Sequence, residues 1–351
     1  MKTFTCRLAS SMVLAFLTVA ACGSDDTGST TSGAGASGST AGPGGGDATS
    51  SSTGAASSNG GGGSGTGGSG GGASSTGAGA GGQGFTTVFT IVMENHNYED
   101  VVGSANAPYI NQLIGQYGLA TNYMDSGTHP SLPNYLYMVS GDPQYVGFVD
   151  LDPTFYPFPV AGDNLGNQLQ GANIAWRSYQ ESMGTACKLS ASGNYAPKHD
   201  PFLYFTNIQT GPNDLCATTN VDYTSFAADL AAGTYKYMWI TPNLLNDGHD
   251  PAGDPVQGLK QCDTWLSTEL PKILASATYQ AGGVVFLTWD EGESGASHIP
   301  MIIISPKIKS AGYQSAQAYN HASYLATIEE IFALPKLGAA ATAQSLMEFF
   351  Q

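Results

Sequence analysis

Apolar residues in this chain fall into compact runs with two kinds of spacing. Thr86–Met93 (TTVFTIVM) is β-branched and continuously apolar, which predicts a strand buried on both faces, and it breaks off at Glu94-Asn95. Ala107–Tyr117 instead sets Tyr109, Ile110, Leu113 and Ile114 at helical spacing. Ser131–Val139, opened by Pro130, predicts a second helix. Ile174–Tyr179 and Tyr237–Ile240 predict strands, and Gln257–Ala275 a long helix broken near Pro271. Strands over Val284–Trp289 and Ile299–Ile304 follow, then an amphipathic helix over Ala322–Phe332 and a short one over Ala343–Phe350. Apolar strands alternating with helices imply an α/β fold: a mainly parallel central sheet with helices on both faces. In such folds ligands sit at the carboxyl ends of the strands.

Upstream of Phe85 this pattern is missing. Residues 1–21 have a leader's form, with Lys2 and Arg7 ahead of an apolar run, Met12–Val19, too short to span a bilayer. The run ends in Val19-Ala20-Ala21-Cys22, the small residues that lipoprotein signal peptidase needs before a cysteine. Cys22 is therefore expected to carry lipid and tie an exported protein to the cell envelope; an ordinary secretory signal is the alternative. Gly23 after Cys22 permits sorting to the outer membrane or cell surface. Residues 22–84 are almost wholly Gly, Ser, Thr and Ala, which bury nothing, so a disordered tether spanning roughly 40–50 Å is expected. Residues 85–351 then form one domain.

The chain has 11 Lys+Arg against 27 Asp+Glu, a net −16; without Lys2 and Arg7 it is nine against 27, a net −18. Such acidity disfavours nucleic acid and anionic membranes as partners, and an anionic substrate then calls for a bound cation to supply local positive potential. No obligate protein partner is indicated. Of the five cysteines, Cys6 and Cys22 belong to the leader region. Cys187, Cys216 and Cys262 allow three single pairings; Cys187–Cys216, both in a loop-rich insert, is favoured. No Cys-x-x-Cys spacing suggests a metal site.

Polar residues collect directly after three predicted strands: Glu94-Asn95-His96, Asn243 to Asp250, and Asp290-Glu291-Gly292-Glu293. Together Glu94, Asn95, Asp290 and Glu291 make an oxygen-rich set suited to a hard cation such as Mg, Ca or Mn. Ser131 stands at the first turn of its helix, where unpaired N–H groups and the macrodipole favour a phosphate, and a coordinated metal would activate its hydroxyl. Asn134, one turn on, is placed to donate to a phosphoryl oxygen. A helix-capping serine would occupy the same position, so the local pattern serves both readings. All six histidines lie in the predicted domain, mostly in loops where they can move protons or bind an ion. No Walker loop, G-x-G-x-x-G turn or G-x-S-x-G elbow is present, which disfavours nucleotide motors, dinucleotide enzymes and typical lipases.

Taken in order, these residues resemble the bacterial phosphoesterases of phospholipase C and acid phosphatase type, a branch of the alkaline phosphatase superfamily. The resemblance runs through Glu94-Asn95-His96, His129-Pro130-Ser131-Leu132-Pro133-Asn134-Tyr135, Lys198-His199-Asp200-Pro201-Phe202 and Thr241-Pro242-Asn243 to Asp250. It continues through Thr288-Trp289-Asp290-Glu291, His298-Ile299-Pro300 and His321-Ala322-Ser323. It implies a phosphoserine on Ser131, a metal held by Glu94 and Asn95 opposite Asp290 and Glu291, and contacts to phosphate or leaving group from His129, Lys198 and His199. Asn243, His249 and His298 match in order the ligands of two-metal relatives. Asn243 stands where those relatives have aspartate and Glu291 where they have histidine, departures that weaken a two-zinc site and favour one harder ion. An acid-phosphatase-type phosphomonoesterase is the leading expectation. The alternatives are a phospholipase C, for which Tyr145, Phe148, Phe155, Tyr156 and Phe158 would form an aromatic loop toward acyl chains, and a non-catalytic surface module that binds an ion or glycan.

Overall fold

Among the described residues ten strands follow one another: β1 (Thr87–Met93), β2 (Gly118–Ala120), β3 (Tyr123–Met124), β4 (Trp176–Gln180), β5 (Asn220–Asp222), β6 (Tyr237–Thr241), β7 (Gly283–Trp289), β8 (Met301–Ile304), β9 (Gln314–Ser315) and β10 (Tyr319–Asn320). The computed structural model describes residues 84–143, 149–155, 157–249, 254–295 and 297–351. The leader, Cys22, the tether up to residue 83, and Tyr145, Phe148 and Tyr156 of the aromatic loop lie outside the described residues.

Eight strands form one sheet in the order β5-β4-β6-β1-β7-β8-β2-β9, and β3 pairs with β10 separately. β5, β4, β6, β1 and β7 run parallel, β8 is antiparallel to its neighbours β7 and β2, and β9 is parallel to β2. The expected mainly parallel sheet is therefore found. Every residue of β1 and β7 is buried, so both faces of the sheet centre are covered. On one face Thr90 of β1, Tyr237 of β6 and Phe286 of β7 meet Tyr324, whose hydroxyl lies 2.6 Å from Thr90 Oγ1 and 2.9 Å from the Tyr237 hydroxyl.

The predicted helices form at Pro108–Gln116, Ser131–Ser140, Pro255–Leu274 and His321–Ile331. Two expectations are corrected. The Pro255–Leu274 helix is not broken at Pro271: the proline lies in its last turn, where one backbone hydrogen bond is lost while Leu270 and Ile273 stay buried. The C-terminal segment forms only a 3₁₀ turn, Leu346–Phe349, because its apolar residues are spent docking: Leu346 and Phe349 are buried and Phe350 packs edge-on against Phe85. Cys187 and Cys216 form a disulfide, and Cys262 is free and buried. Of the aromatic loop, Phe155 is exposed, whereas Phe158 is buried against Tyr204.

Candidate active site

Neighbouring strands β6, β1 and β7 end at the same edge, and this brings the three polar clusters together. Met93 and Trp289 are in register, so Glu94 and Asp290 emerge side by side. Asp290 N donates to Met93 O (2.9 Å), and Glu94 N to Asp247 O (2.8 Å) beyond β6. Asn95 then turns with φ +27°, a left-handed backbone that asparagine tolerates better than most residues, and its N–H donates to Asp290 Oδ1 at 3.2 Å. The turn carrying Asp247 is seated on the Pro255–Leu274 helix at Gly258, where an added Cβ would lie 2.2 Å from Gly248 O. Only glycine permits that approach.

Ser131 begins its helix behind a proline that offers no side-chain cap, and it does not cap the helix itself. Its hydroxyl donates to Glu94 Oε2 at 3.1 Å, and Lys198 Nζ donates to the same hydroxyl at 3.4 Å. This contact sets Ser131 apart from a capping serine. The other Glu94 oxygen accepts from the Tyr135 hydroxyl at 2.6 Å and faces His199 Nε2 at 3.3 Å. Tyr135 and His199 stack on each other, so both are held against the carboxylate.

Burial alone would raise the Glu94 pKa. The charge and hydrogen bond of His199, the Lys198 charge and the Tyr135 hydroxyl overcome it and hold the carboxyl at about 2. The neighbouring acids shift the other way. Burial and then the Glu94 charge push Asp247 and Asp290 well above the ordinary carboxylate range, and Glu291 to about 8. Glu94, its carboxyl held low, thus sits among acids whose carboxyls are held high by burial and by its charge.

Three buried oxygens at this edge lack hydrogen-bond partners: Asn95 Oδ1, Asp247 Oδ2 and Asp290 Oδ2. Among the described residues no three His, Cys, Asp or Glu side chains are grouped to hold a metal. The donors that fit are two carboxylates and an amide, beside Glu94. Oxygen donors of this kind suit a hard cation such as Mg, Ca or Mn.

Several expected roles are corrected by hydrogen bonding. Both Glu291 oxygens are taken: Oε1 accepts from Asn95 Nδ2 (3.3 Å), and Oε2 from Asn134 Nδ2 (2.9 Å) while lying 2.8 Å from His129 Nδ1. Glu291 therefore braces the site instead of offering a metal a free oxygen. Asn134 likewise donates to Glu291 and to Thr128 O (2.9 Å), so it locks the turn before Ser131 rather than presenting an open donor to phosphate. Asn243 is turned away, donating to Ser182 Oγ (2.9 Å) and accepting from Leu245 N (3.0 Å). His298 stacks on Tyr98, with one nitrogen 2.9 Å from Glu99 Oε1 and the other 3.1 Å from Thr121 O, so neither nitrogen is left for the metal. His199 is buried behind Glu94 and acts on that carboxylate. His249 is placed through its backbone, whose N–H donates to Asp247 Oδ1 (3.0 Å). Lys198 lies beside Ser131, and Asn95 and Asp290 lie side by side at the strand edge. Glu94, expected to hold a metal, is instead engaged by Ser131, Tyr135 and His199, and His129, expected at the phosphate, lies against Glu291 and Asp125.

Sequence reasoning missed Asp247, Tyr135 and Asp150 as site residues. Asp247 lies inside the polar run after β6, and Tyr135 one turn beyond Ser131, so local signals existed for both. Asp150 had none. Asp200, beside His199, is fully buried and accepts from Ser178 Oγ at 3.0 Å; burial pushes its carboxyl up to about 8. A raised folded-state value stabilises the fold fully below the unfolded carboxylate range, and that contribution is lost as pH rises toward about 8. The melting temperature is expected to fall from pH 5 to pH 8.5, and less steeply in Asp200→Asn; parallel melting curves for the two proteins would refute this.

A model described as the phosphoesterase family matches residues 104–335. The phosphatidylinositol-3-phosphatase of Mycobacterium tuberculosis is 28% identical over 272 residues, covering 76% of this chain and 83% of that protein. A probable acid phosphatase of Kluyveromyces lactis and the acid phosphatase of Aspergillus fumigatus are each 28% identical, covering 73% of this chain. The chain spans only 60% and 57% of those fungal proteins. Among solved structures, murine ectonucleotide pyrophosphatase/phosphodiesterase 5 in complex with AMP aligns with a TM-score of 0.54 at 10% identity, over 76% of this chain and 100% of that one. A lipoteichoic acid synthase from Listeria monocytogenes aligns at 0.52 and 9% identity, over 76% of each chain. At such identities the likeness shows the fold alone.

Proposed function

The chain belongs to the phosphoesterase family, and from that premise we propose a metal-dependent phosphomonoesterase of acid-phosphatase type that works through a phosphoserine at Ser131. The observation that carries this reading is the Ser131 hydroxyl poised between Glu94 Oε2 at 3.1 Å and Lys198 Nζ at 3.4 Å, at the start of a ten-residue helix. Ser131 Oγ attacks phosphorus as its proton passes to Glu94 Oε2, the P–O bond to the ester oxygen breaks, and the departing alkoxide takes a proton from solvent while Glu94 releases its own; water then hydrolyses the phosphoserine to phosphate and free serine. With a pKa near 2, Glu94 remains an ionised acceptor through the mildly acidic range. Lys198 places positive charge beside the developing phosphoryl anion. Asn95, Asp247 and Asp290 would hold a divalent cation, which supplies charge neutralisation at the phosphoryl oxygens. Tyr135 and His199 keep Glu94 aimed at the serine, and Glu291, held by His129 and Asn134, keeps Asn95 in place.

Export and lipid attachment at Cys22, to the outer membrane or cell surface, form part of the proposal. The leader pattern supports it, as does the Cys187–Cys216 disulfide, which suits an oxidising compartment.

A second reading, a lipid headgroup ester as substrate, is favoured by exposed apolar side chains near the site. Phe155 is 57% exposed on the segment that carries Asp150, and Leu245 is 50% exposed two residues before Asp247. The lipid phosphatase named among the relatives agrees with it. The deciding experiment incubates the protein, with and without chelator, with an aryl phosphate, a phosphatidylinositol phosphate and phosphatidylcholine. Phosphate release from the monoesters, lost with chelator, is expected. Phosphocholine release alone would replace the monoesterase reading, and chelator-resistant turnover would remove the metal from it.

A further inference from the structure

We propose that the Asp150 carboxylate occupies the phosphoryl subsite of the resting protein and competes with substrate for it, an inference that rests on Ser131 being the nucleophile. Asp150 Oδ1 accepts from Leu132 N at 3.0 Å, and Asp150 Oδ2 accepts from Lys198 Nζ at 2.7 Å. The same ammonium lies 3.4 Å from Ser131 Oγ. A helix-start N–H and a lysine ammonium, both beside the nucleophile, are the donors that a phosphoryl group attacked by Ser131 would need. Two carboxylate oxygens bridge them as two phosphoryl oxygens would.

Three features make Asp150 a displaceable occupant rather than a fixed part of the site. It comes from outside the helix, 18 residues beyond Leu132, on a segment without regular secondary structure. Its side chain is 27% exposed, whereas Glu94, the anion that accepts from Ser131, is fully buried and held by three side chains. Its two bonds, an exposed ion pair and a single helix-terminal hydrogen bond, are of kinds that contribute little in water. Rotation of the Asp150 side chain into solvent frees both donors at once.

A resident competitor leaves a defined thermodynamic mark. The apparent affinity for any ligand of the subsite is lowered by the fraction of molecules in which it is open, by the same factor for inorganic phosphate and for substrate. Turnover at saturation is unaffected, because Asp150 is then already displaced. A residue that merely capped the helix would change stability and not affinity. One that positioned Lys198 would lower kcat when removed.

The test uses the full chain with divalent cation supplied, comparing the native protein with Asp150→Asn and Asp150→Ala, folding being checked by circular dichroism. Calorimetric titration with inorganic phosphate and steady-state hydrolysis of an aryl phosphate are the readouts. Asp150→Ala, which removes one weak ion pair and one cap-type bond, is expected to bind phosphate about tenfold more tightly and to show KM lower by the same factor, with kcat within about twofold; Asp150→Asn, which loses the charge but keeps an acceptor for Leu132 N, is expected to shift both in the same direction by less. Unchanged or weaker phosphate binding, or a large fall in kcat, overturns the proposal. If the native protein turns over no ester while the variants gain phosphate affinity, the hydrolase reading fails and the inference is reduced to Asp150 competing for a phosphate-binding site. Turnover without any gain in affinity overturns the Asp150 inference alone.

Discussion

Ser131→Ala is expected to lower kcat for phosphate monoesters by about 10⁴-fold or more, the scale seen when a covalent nucleophile is removed. The fold should survive. Ser131 contributes one hydrogen bond to Glu94, whose other oxygen keeps Tyr135 and His199, so the structural cost is about 1 kcal/mol. Helix formation is unaffected, because the Ser131 hydroxyl does not cap the helix. The measurement pairs steady-state phosphate release with circular dichroism and a divalent-ion titration. A folded, metal-competent variant without turnover is the expected outcome. Retained turnover would remove Ser131 from its role and would leave Glu94 and Lys198 without a nucleophile to serve.

The second large effect is at Asp290. Asp290→Asn is expected to weaken divalent-cation binding at least about 100-fold, since partners one shell further out already contribute 10–100-fold. Its effect on the metal-free protein has the opposite sign. Burial, then the Glu94 and Glu291 charges, hold the Asp290 carboxyl well above its ordinary range, so its ionisation destabilises the fold as pH rises. The amide retains an acceptor for Asn95 N and carries no charge. Metal-free Asp290→Asn should therefore melt at a higher temperature than the metal-free native protein at pH 8, and lose that advantage when a divalent ion is added. Calorimetric titration and melting curves with and without the ion test both halves. An unchanged titration would exclude Asp290 as a ligand.

How far each candidate residue's surroundings could be read from the sequence depends on how local the interactions around it are. Glu94, Asn95 and Asp290 were recognisable because each directly follows a continuously apolar strand, and such strands in a parallel sheet deliver their next residues to one edge. Ser131 was recognisable by its place behind a proline at a helix start. Its role was not, because a cap and a nucleophile share that position; the 3.1 Å contact to Glu94, 37 residues away, separates them. Glu291 was placed in the right cluster but given the wrong task. Its oxygens are claimed by Asn95, Asn134 and His129, and no spacing rule reports which of two adjacent acids will be hydrogen-bonded and which left open. His298 and Asn243 followed the order of ligands in relatives, yet their side chains settle on Glu99, Thr121 and Ser182.

By itself, the sequence determined the α/β class, five of the ten described strands and the four longest helices, the oxygen-rich strand ends and the hydroxyl at a helix start. Hydrophobic period and strand-end polarity are properties of neighbouring residues, so they survive without a fold. The tertiary structure alone decided that β6, β1 and β7 are adjacent, that the Asp247 backbone pairs with Glu94 beside Asp290, and that Asp150 bridges Lys198 and Leu132. These outcomes depend on hydrogen-bond distances near 3 Å between residues as far as 196 positions apart, a scale that only packing of the whole domain sets.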